Sequence, residues 1–258
     1  MNSMKVFFKD SRDMKELETE SIHLMVTSPP YWCIKNYDGG PKQIGSGQSY
    51  EEYIHSLKTV LQEVHRVLHK GCKAIVNIGD QYLRAKDFGR YNVKSIPSDL
   101  IVCARDIGFN FMGNIIWQKI STTKPSGGGT WMGSTYFPKD GHITYEHEYI
   151  LIFRKIGSWP KPTKIQKIKS KLTKQERSEW FRGIWKMKGV RQTDHIAMFP
   201  LELPLRLIKM YSFHGETVLD PFLGSGTTMK AAKMLGRKCI GYEINKDYKD
   251  VIVKKTKT

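Results

Sequence analysis

Cysteine is scarce. Cys33, Cys72, Cys103 and Cys239 stand far apart and form no Cys-x-x-Cys pair. That spacing argues against a disulfide framework or a thiolate metal site, and points to reduced, structural thiols in a cytoplasmic protein with no metal centre. Long apolar runs are missing as well. None approaches the roughly 18 residues of a membrane span, and Met1-Asn2-Ser3-Met4-Lys5 lacks the apolar stretch of a secretory leader. Acidic residues are the third shortage, with 25 Asp+Glu against 42 Lys+Arg and a net charge of +17. Such a surplus favours a polyanionic partner. With no amphipathic anchor in view, nucleic acid is expected ahead of an acidic membrane surface. No internal repeat is found.

The 258 residues, 40% of them hydrophobic, suffice for one large α/β domain with an insertion or for two small domains. Residues 49–70 read as a helix. Ser49 and Glu52 match a capping box, Ile54, Leu57, Leu61, Val64 and Leu68 recur at helical spacing, and Gly71 is the expected stop. Short apolar strands are predicted at Val6-Phe7-Phe8, Ile22–Val26, Lys73–Gly79, Phe109–Trp117, Glu148–Phe153, Glu216–Leu219 and Lys238–Tyr242. Helices are predicted at about Pro97–Ile107, Pro200–Phe213, Thr227–Leu235 and from Asp247 onward. Leu201, Leu205, Ile208 and Tyr211 form the expected buried stripe of the second of these. Strands alternating with helices imply a mostly parallel, doubly wound sheet with helices on both faces.

Two segments interrupt that rhythm. Residues 121–141 are a Gly/Ser/Thr-rich stretch with embedded aromatics, long enough to suggest a functional loop. Residues 154–192 are dense in Lys and Arg, opposed only by Glu176 and Glu179, with Trp159, Trp180, Phe181 and Trp185 interleaved. A solvated helical face would look the same. The reading favoured by the overall charge is a DNA-contacting insertion, with Arg182, Lys186, Lys188 and Arg191 from it, and Lys124 from the preceding 121–141 loop, as phosphate or base contacts. The chain then divides into segments at 1–120, 121–193 (interrupted by a core strand near 147–153) and 194–258.

The most informative run is "TVLDPFLGSGTTMKAAKMLGRKCIGYEIN", residues 217–245: strand, Gly-x-Gly loop, helix, strand. Glycines let the backbone approach a ligand, and the helix start at Thr227 offers free N–H groups to an anion. Asp220, at the strand end ahead of the loop, would repel a pyrophosphate. It suits a ligand with an ammonium beside a carboxylate, the amino-acid end of S-adenosylmethionine. Glu243, at the end of the next strand, can accept both hydroxyls of a ribose.

A methyl donor gives a use to "TSPPYW", residues 27–32, which begins where the strand Ile22–Val26 ends. The exocyclic amine of cytosine or adenine is a poor nucleophile because its lone pair is delocalised into the ring. Acceptors aimed at its N–H groups localise that pair. Ser28 Oγ and the Pro29 carbonyl are suited to this, and Pro29 and Pro30 hold the carbonyls rigidly and remove competing donors. Tyr31 can stack on a base rotated out of the duplex. Trp32 either lines that pocket or packs in the core. Cys33 lies past both rings with no evident base and is read as structural rather than as a nucleophile.

Thr27-Ser-Pro-Pro-Tyr-Trp32 and Asp220-Pro-Phe-Leu-Gly-Ser-Gly-Thr-Thr228 resemble the catalytic and cofactor motifs of amino-group DNA methyltransferases. Their order, catalytic motif first and cofactor loop last, resembles the circularly rearranged β class. The resemblance covers most of the chain and implies the S-adenosylmethionine-dependent methyltransferase fold. It also implies that Asp10 contacts the cofactor's adenine and that His195-Ile-Ala-Met-Phe-Pro200 packs beside its methionine moiety. Thr27, Phe199, Pro200, Asp220, Phe222, Gly224, Ser225, Gly226, Thr227 and Glu243 complete the expected cofactor set. Serine at the head of the motif is usual for N4-cytosine enzymes and aspartate for N6-adenine enzymes, though some adenine enzymes carry serine or asparagine. The expectation is N4-cytosine methylation of duplex DNA. The alternatives are N6-adenine methylation, an RNA methyltransferase, or a non-catalytic nucleic-acid binder of the same fold. Protection of host DNA from a partner restriction endonuclease is implied by the resemblance alone.

Overall fold

The structure is a computed structural model describing residues 4–33, 39–120, 145–189 and 199–257. Its frame is an eight-stranded sheet. In spatial order the strands are β1 (Met4–Phe7), β10 (Lys238–Tyr242), β9 (Thr217–Asp220), β2 (Ile22–Thr27), β3 (Leu68–Ile78), β7 (His147–Lys155), β6 (Phe109–Ile120) and β8 (Ile184–Lys188). Every neighbouring pair is parallel except the two that β7 makes, with β3 and with β6. A separate antiparallel pair, β4 (Gln81–Leu83) and β5 (Asn92–Lys94), brackets the short helix α2 (Ala85–Phe88).

Strand alternation sends successive side chains to opposite faces, and each face has its own core. On one face Met25, Ala74, Val76, Leu151 and Phe153 meet α1 (Tyr50–Val67) and α3 (Ile96–Ile107). On the other, Leu24, Val26, Ile75, Ile150, Trp117 and Val218 meet α6 (Glu202–Tyr211), α7 (Thr227–Met234) and Ile252 of α8 (Tyr248–Lys257). This is the doubly wound α/β architecture expected from the sequence.

Local chemistry explains most boundaries. The capping box of α1 is complete: Ser49 Oγ accepts from the Glu52 N–H at 3.1 Å, and Glu52 Oε2 accepts from the Ser49 N–H at 2.7 Å. Gly108, left-handed at φ 108°, ends α3. Gly71, however, is not the stop of α1. The helix ends at Val67, and Leu68 begins β3 at once. Gly71 sits inside the strand with φ 76°, where the register against β2 shifts, and a Cβ there would lie 2.4 Å from the Trp159 amide nitrogen. Its role is close backbone approach at a bulge.

Two further expectations are corrected. The fully buried face of α6 is Leu203, Pro204, Leu207 and Ile208; of the predicted stripe only Ile208 is fully buried, while Leu201, Leu205 and Tyr211 pack half-buried at the edge of the same core. Trp185 belongs to the core, at 1% exposure, rather than to a DNA surface. It lies on β8, which carries Trp185 and Met187 inward and Ile184, Lys186 and Lys188 outward. The basic segment therefore contains a strand of the main sheet, besides the short helices α4 (Lys164–Lys169) and α5 (Lys174–Trp180).

The sheet's winding fixes where a ligand can bind. From β2 the chain moves through α1 to β3 on one side; from β9 it moves through α7 to β10 on the other. The two strands at which these directions diverge, β2 and β9, are neighbours. A crevice opens outside their carboxyl ends at such a switch point.

Candidate active site

Residues 24–25 pair with 218–219, so the chain leaving β2 at Thr27 and the chain leaving β9 at Asp220 emerge side by side. Thr27 Oγ1 donates to Asp220 Oδ1 at 2.6 Å across 193 residues of sequence. Around this contact lies a cleft with about 960 Å³ of non-protein space, counting its open mouth. Ser28, Pro29 and Pro30 form part of its wall, and Asp220, Phe222, Gly224, Ser225, Thr227 and Glu243 another part. Asp10 and Phe199 line it as well. The early proline pair and the late glycine turn thus share one cavity.

Asp220 is 1% exposed, and its Oδ1 also accepts from the Phe222 N–H at 3.0 Å. Burial pushes its carboxyl up, and the hydrogen bonds of its neighbours only partly offset that. Glu243 is held by two backbone donors, Gly224 N–H to Oε2 at 2.7 Å and Asn245 N–H to Oε1 at 2.8 Å. Burial raises its pKa too, against the lowering effect of those two amides. Each carboxylate oxygen carries two lone pairs, so both acids retain acceptor capacity toward the cleft. Gly224 and Gly226 have φ of 52° and 85°, the left-handed conformation the turn into α7 requires.

Other expected residues stand further from the cavity. Thr27, Pro200, Gly226 and Tyr31 are not in its wall. Thr27 reaches the site through its hydrogen bond to Asp220, and the Pro200 carbonyl accepts from Leu203 N–H at 3.0 Å at the entry to α6. Asp10 is gripped by Arg12, whose Nε and Nη2 both reach its Oδ2, at 3.0 and 2.6 Å. Trp32 is 7% exposed and its Nε1–H donates to the Gln48 carbonyl at 2.8 Å, which makes it a structural anchor of the loop. The Tyr53 hydroxyl donates to the Pro30 carbonyl at 2.8 Å, a second anchor. Arg182, Lys186 and Lys188 are exposed. Lys124, Arg191 and the stretch His195–Met198 lie outside the described residues.

A family model described as DNA methylase matches residues 22–254. The chain belongs to this DNA methylase family. Among its relatives, the Type II methyltransferase M.MjaI of Methanocaldococcus jannaschii is 39% identical, the match covering 97% of this chain and 90% of that one. The Type II methyltransferase M.MthZI of Methanothermobacter thermautotrophicus is also 39% identical, over 96% of this chain and 75% of that one. A solved structure of the protein called "Putative DNA Modification Methylase" from Thermus thermophilus, complexed with S-adenosyl-L-methionine, is 34% identical. It superposes with a TM-score of 0.81, covering 98% of this chain and 93% of that one. The PvuII DNA methyltransferase (cytosine-N4-specific), 21% identical with a TM-score of 0.70 over 98% of this chain and 88% of that one, shares the fold.

The methylase has wall residues that no motif announced. Lys42, Gln43 and Ile44, from a 3-10 turn at Gly40–Lys42 and its exit, close one side; Ile244 and Tyr248 close another. Least legible is Lys255, which lies behind the wall rather than in it. Its Nζ donates to Ser225 Oγ at 2.6 Å and Thr227 Oγ1 at 3.0 Å, placing a cation directly behind the glycine turn. Burial, and then Lys230, lower its pKa. In the sequence it is one of several lysines in a basic tail, with nothing to separate it from its neighbours.

Proposed function

We propose that this DNA methylase transfers a methyl group to the N4 amine of a cytosine rotated out of duplex DNA, at a specific sequence. The cofactor is S-adenosylmethionine, which when bound supplies an electrophilic methyl group. The residues present fit it. Asp220 is a buried carboxylate suited to an ammonium, Glu243 is suited to a ribose diol, and the start of α7 with Lys255 behind it forms a positive pole for a carboxylate.

The observation that carries the reading is the shared cleft, in which Ser28-Pro29-Pro30 faces the Asp220–Thr227 turn. Ser28 Oγ and the Pro29 carbonyl accept the two amine N–H groups of the target base and localise its lone pair. Tyr31 stacks on the extruded ring, recovering part of the unstacking cost. The serine at the head of the motif favours cytosine. N6-adenine methylation uses the same acceptor geometry and is the competing outcome. Digesting methylated plasmid DNA to nucleosides separates the two: N4-methylcytosine is expected, and N6-methyladenine overturns the choice of base.

The region 121–193 serves in this reading as the DNA-recognition part, between a catalytic half at 1–120 and a cofactor half at 194–258. On the outer face of β8, Lys186 and Lys188 are positioned for phosphates, with Arg182 nearby in sequence. Neutralising Lys186, Lys188 and Arg191 together is expected to weaken DNA binding and flatten its salt dependence. The slope of log K against log salt should fall by about 0.9 for each phosphate that these cations no longer neutralise. An unchanged slope removes this surface from the DNA interface. The relatives' Type II names support a role in protecting DNA from a partner endonuclease.

A further inference from the structure

The polar groups at the carboxyl edge of the sheet do not stop at the cleft. On the face that carries Leu24, Val26, Ile75, Ile150, Trp117 and Val218, alternation continues to Asp220 on β9, Ser28 just past β2, Asn77 on β3, Glu148 on β7 and Lys119 on β6. In strand order these form a row that runs from the cofactor side across the serine and away from it.

Asn77 is 2% exposed. Its Nδ2 donates to Glu148 Oε2 at 2.7 Å, and the Lys119 ammonium is paired with Glu148 Oε1. A carboxylate only accepts, so Glu148 fixes which end of the amide faces it. The other end, Asn77 Oδ1, is buried and has no hydrogen-bond partner among the described residues. A buried acceptor left without a donor is costly. Thr27 pairs with Val76, the last pair of that register, so the register continued one residue past the strand end would bring Ser28 alongside Asn77. A Cβ on Gly79 would lie 3.1 Å from Glu148 Cγ and 3.8 Å from Tyr31 Cε1, so the bare glycine lets the carboxylate and the tyrosine ring come together over the end of β3.

A serine hydroxyl both donates and accepts. To accept from the target amine, Ser28 must send its own hydrogen elsewhere. We propose that Asn77 is a positioning residue for the methyl transfer: its Oδ1 takes the Ser28 hydroxyl hydrogen when the base is bound, so that an oxygen lone pair of Ser28 faces the amine. The polarity runs in one direction, from amine N–H to Ser28, from Ser28 O–H to Asn77, from Asn77 N–H to the Glu148 carboxylate, with Lys119 holding the charge of Glu148. No bond other than hydrogen bonds forms or breaks along this chain. The proposal rests on the reading of Ser28 given above.

A double-mutant cycle tests it, with the single-turnover methylation rate and the cofactor dissociation constant measured for each variant. Asn77→Ala is expected to slow transfer about tenfold with cofactor affinity unchanged. Glu148→Gln, which lets the Asn77 amide turn round, is expected to do the same and keeps the volume of the site if Asn77→Ala folds poorly. In a Ser28→Ala background both substitutions should be silent, because the hydroxyl they orient is gone. Losses that multiply with that of Ser28→Ala, or a full wild-type rate for both single variants, overturn the positioning role and leave the reading of Ser28 standing. A Ser28→Ala variant with the wild-type rate overturns both.

Discussion

Ser28→Ala is expected to slow methyl transfer by about 10²–10³-fold, the range that follows removal of one preorganised polar group acting on a reacting atom, with cofactor binding nearly unchanged. The hydroxyl sits in the wall of the shared cleft, and its proposed work concerns the nucleophile alone. Losing it takes one of two acceptors from the amine, so the nitrogen lone pair stays conjugated with the ring. The Pro29 carbonyl remains. The loop itself should keep its shape, because its anchors lie elsewhere: Tyr53 O–H on the Pro30 carbonyl and Trp32 Nε1–H on the Gln48 carbonyl, both at 2.8 Å. Pro29 and Pro30 fix φ without help from the serine. Rapid-quench single turnover, paired with calorimetric titration of S-adenosylmethionine, separates the two quantities. An equal fall in cofactor affinity would move Ser28 to the cofactor's side of the site, and an undiminished rate would remove it from the chemistry.

What is legible in the sequence and what is hidden follow from how local each signal is. The Ser49/Glu52 box, Gly108 and the turn Asp220–Thr228 are legible because each device is complete within a few residues. The meeting of β2 with β9 follows from motif chemistry, since no local pattern encodes a contact between Thr27 and Asp220. The face of α6 is ambiguous because apolar residues stand at Leu201, Leu203, Leu205 and Leu207, so the helical period admits two phases and only packing against the sheet selects one. Strand β8 is hidden by its charge. Ile184-Trp185-Lys186-Met187-Lys188 does alternate with period two, but its Lys/Arg-dense surround reads as one continuous basic surface. Gly71 looks like a helix stop because a left-handed glycine serves a cap and a bulge equally well. Asn77, Glu148 and Lys119 carry no motif; only the register of β3, β7 and β6 brings them together. Lys255 meets the glycine turn only through the packing of α8 on α7.

Asp220→Asn should give the second large effect, with two halves of opposite sign. Burial raises the folded pKa of Asp220 above its ordinary 3.8. A carboxyl raised in this way favours the folded state below its unfolded pKa, and that contribution is lost as pH rises through the folded one. At neutral pH the group is therefore a cost that the cofactor-free protein carries. Asparagine keeps an acceptor for the Thr27 hydroxyl and the Phe222 N–H and removes the charge, so the free protein should melt higher. The gain is about 2–4 °C for each kcal/mol recovered in a chain of this size, and it should shrink as the pH is lowered toward 3.8. Cofactor should behave in the reverse way. At a hundredfold excess over Kd a bound ligand adds about 2.7 kcal/mol of stability, or roughly 5–10 °C. That increment should largely vanish in Asp220→Asn, because a neutral amide offers the buried ammonium no opposite charge. For the wild type, affinity should begin to fall at a higher pH than an ordinary carboxylate would allow, since the buried acid must be ionised to hold a cation. Thermal melts with and without S-adenosylmethionine, at pH 7 and at pH 5, measure both halves. Wild-type cofactor stabilisation in the asparagine variant would place the ammonium somewhere other than Asp220. A lower melting point for the free variant would mean that the carboxylate's hydrogen bonds outweigh its desolvation.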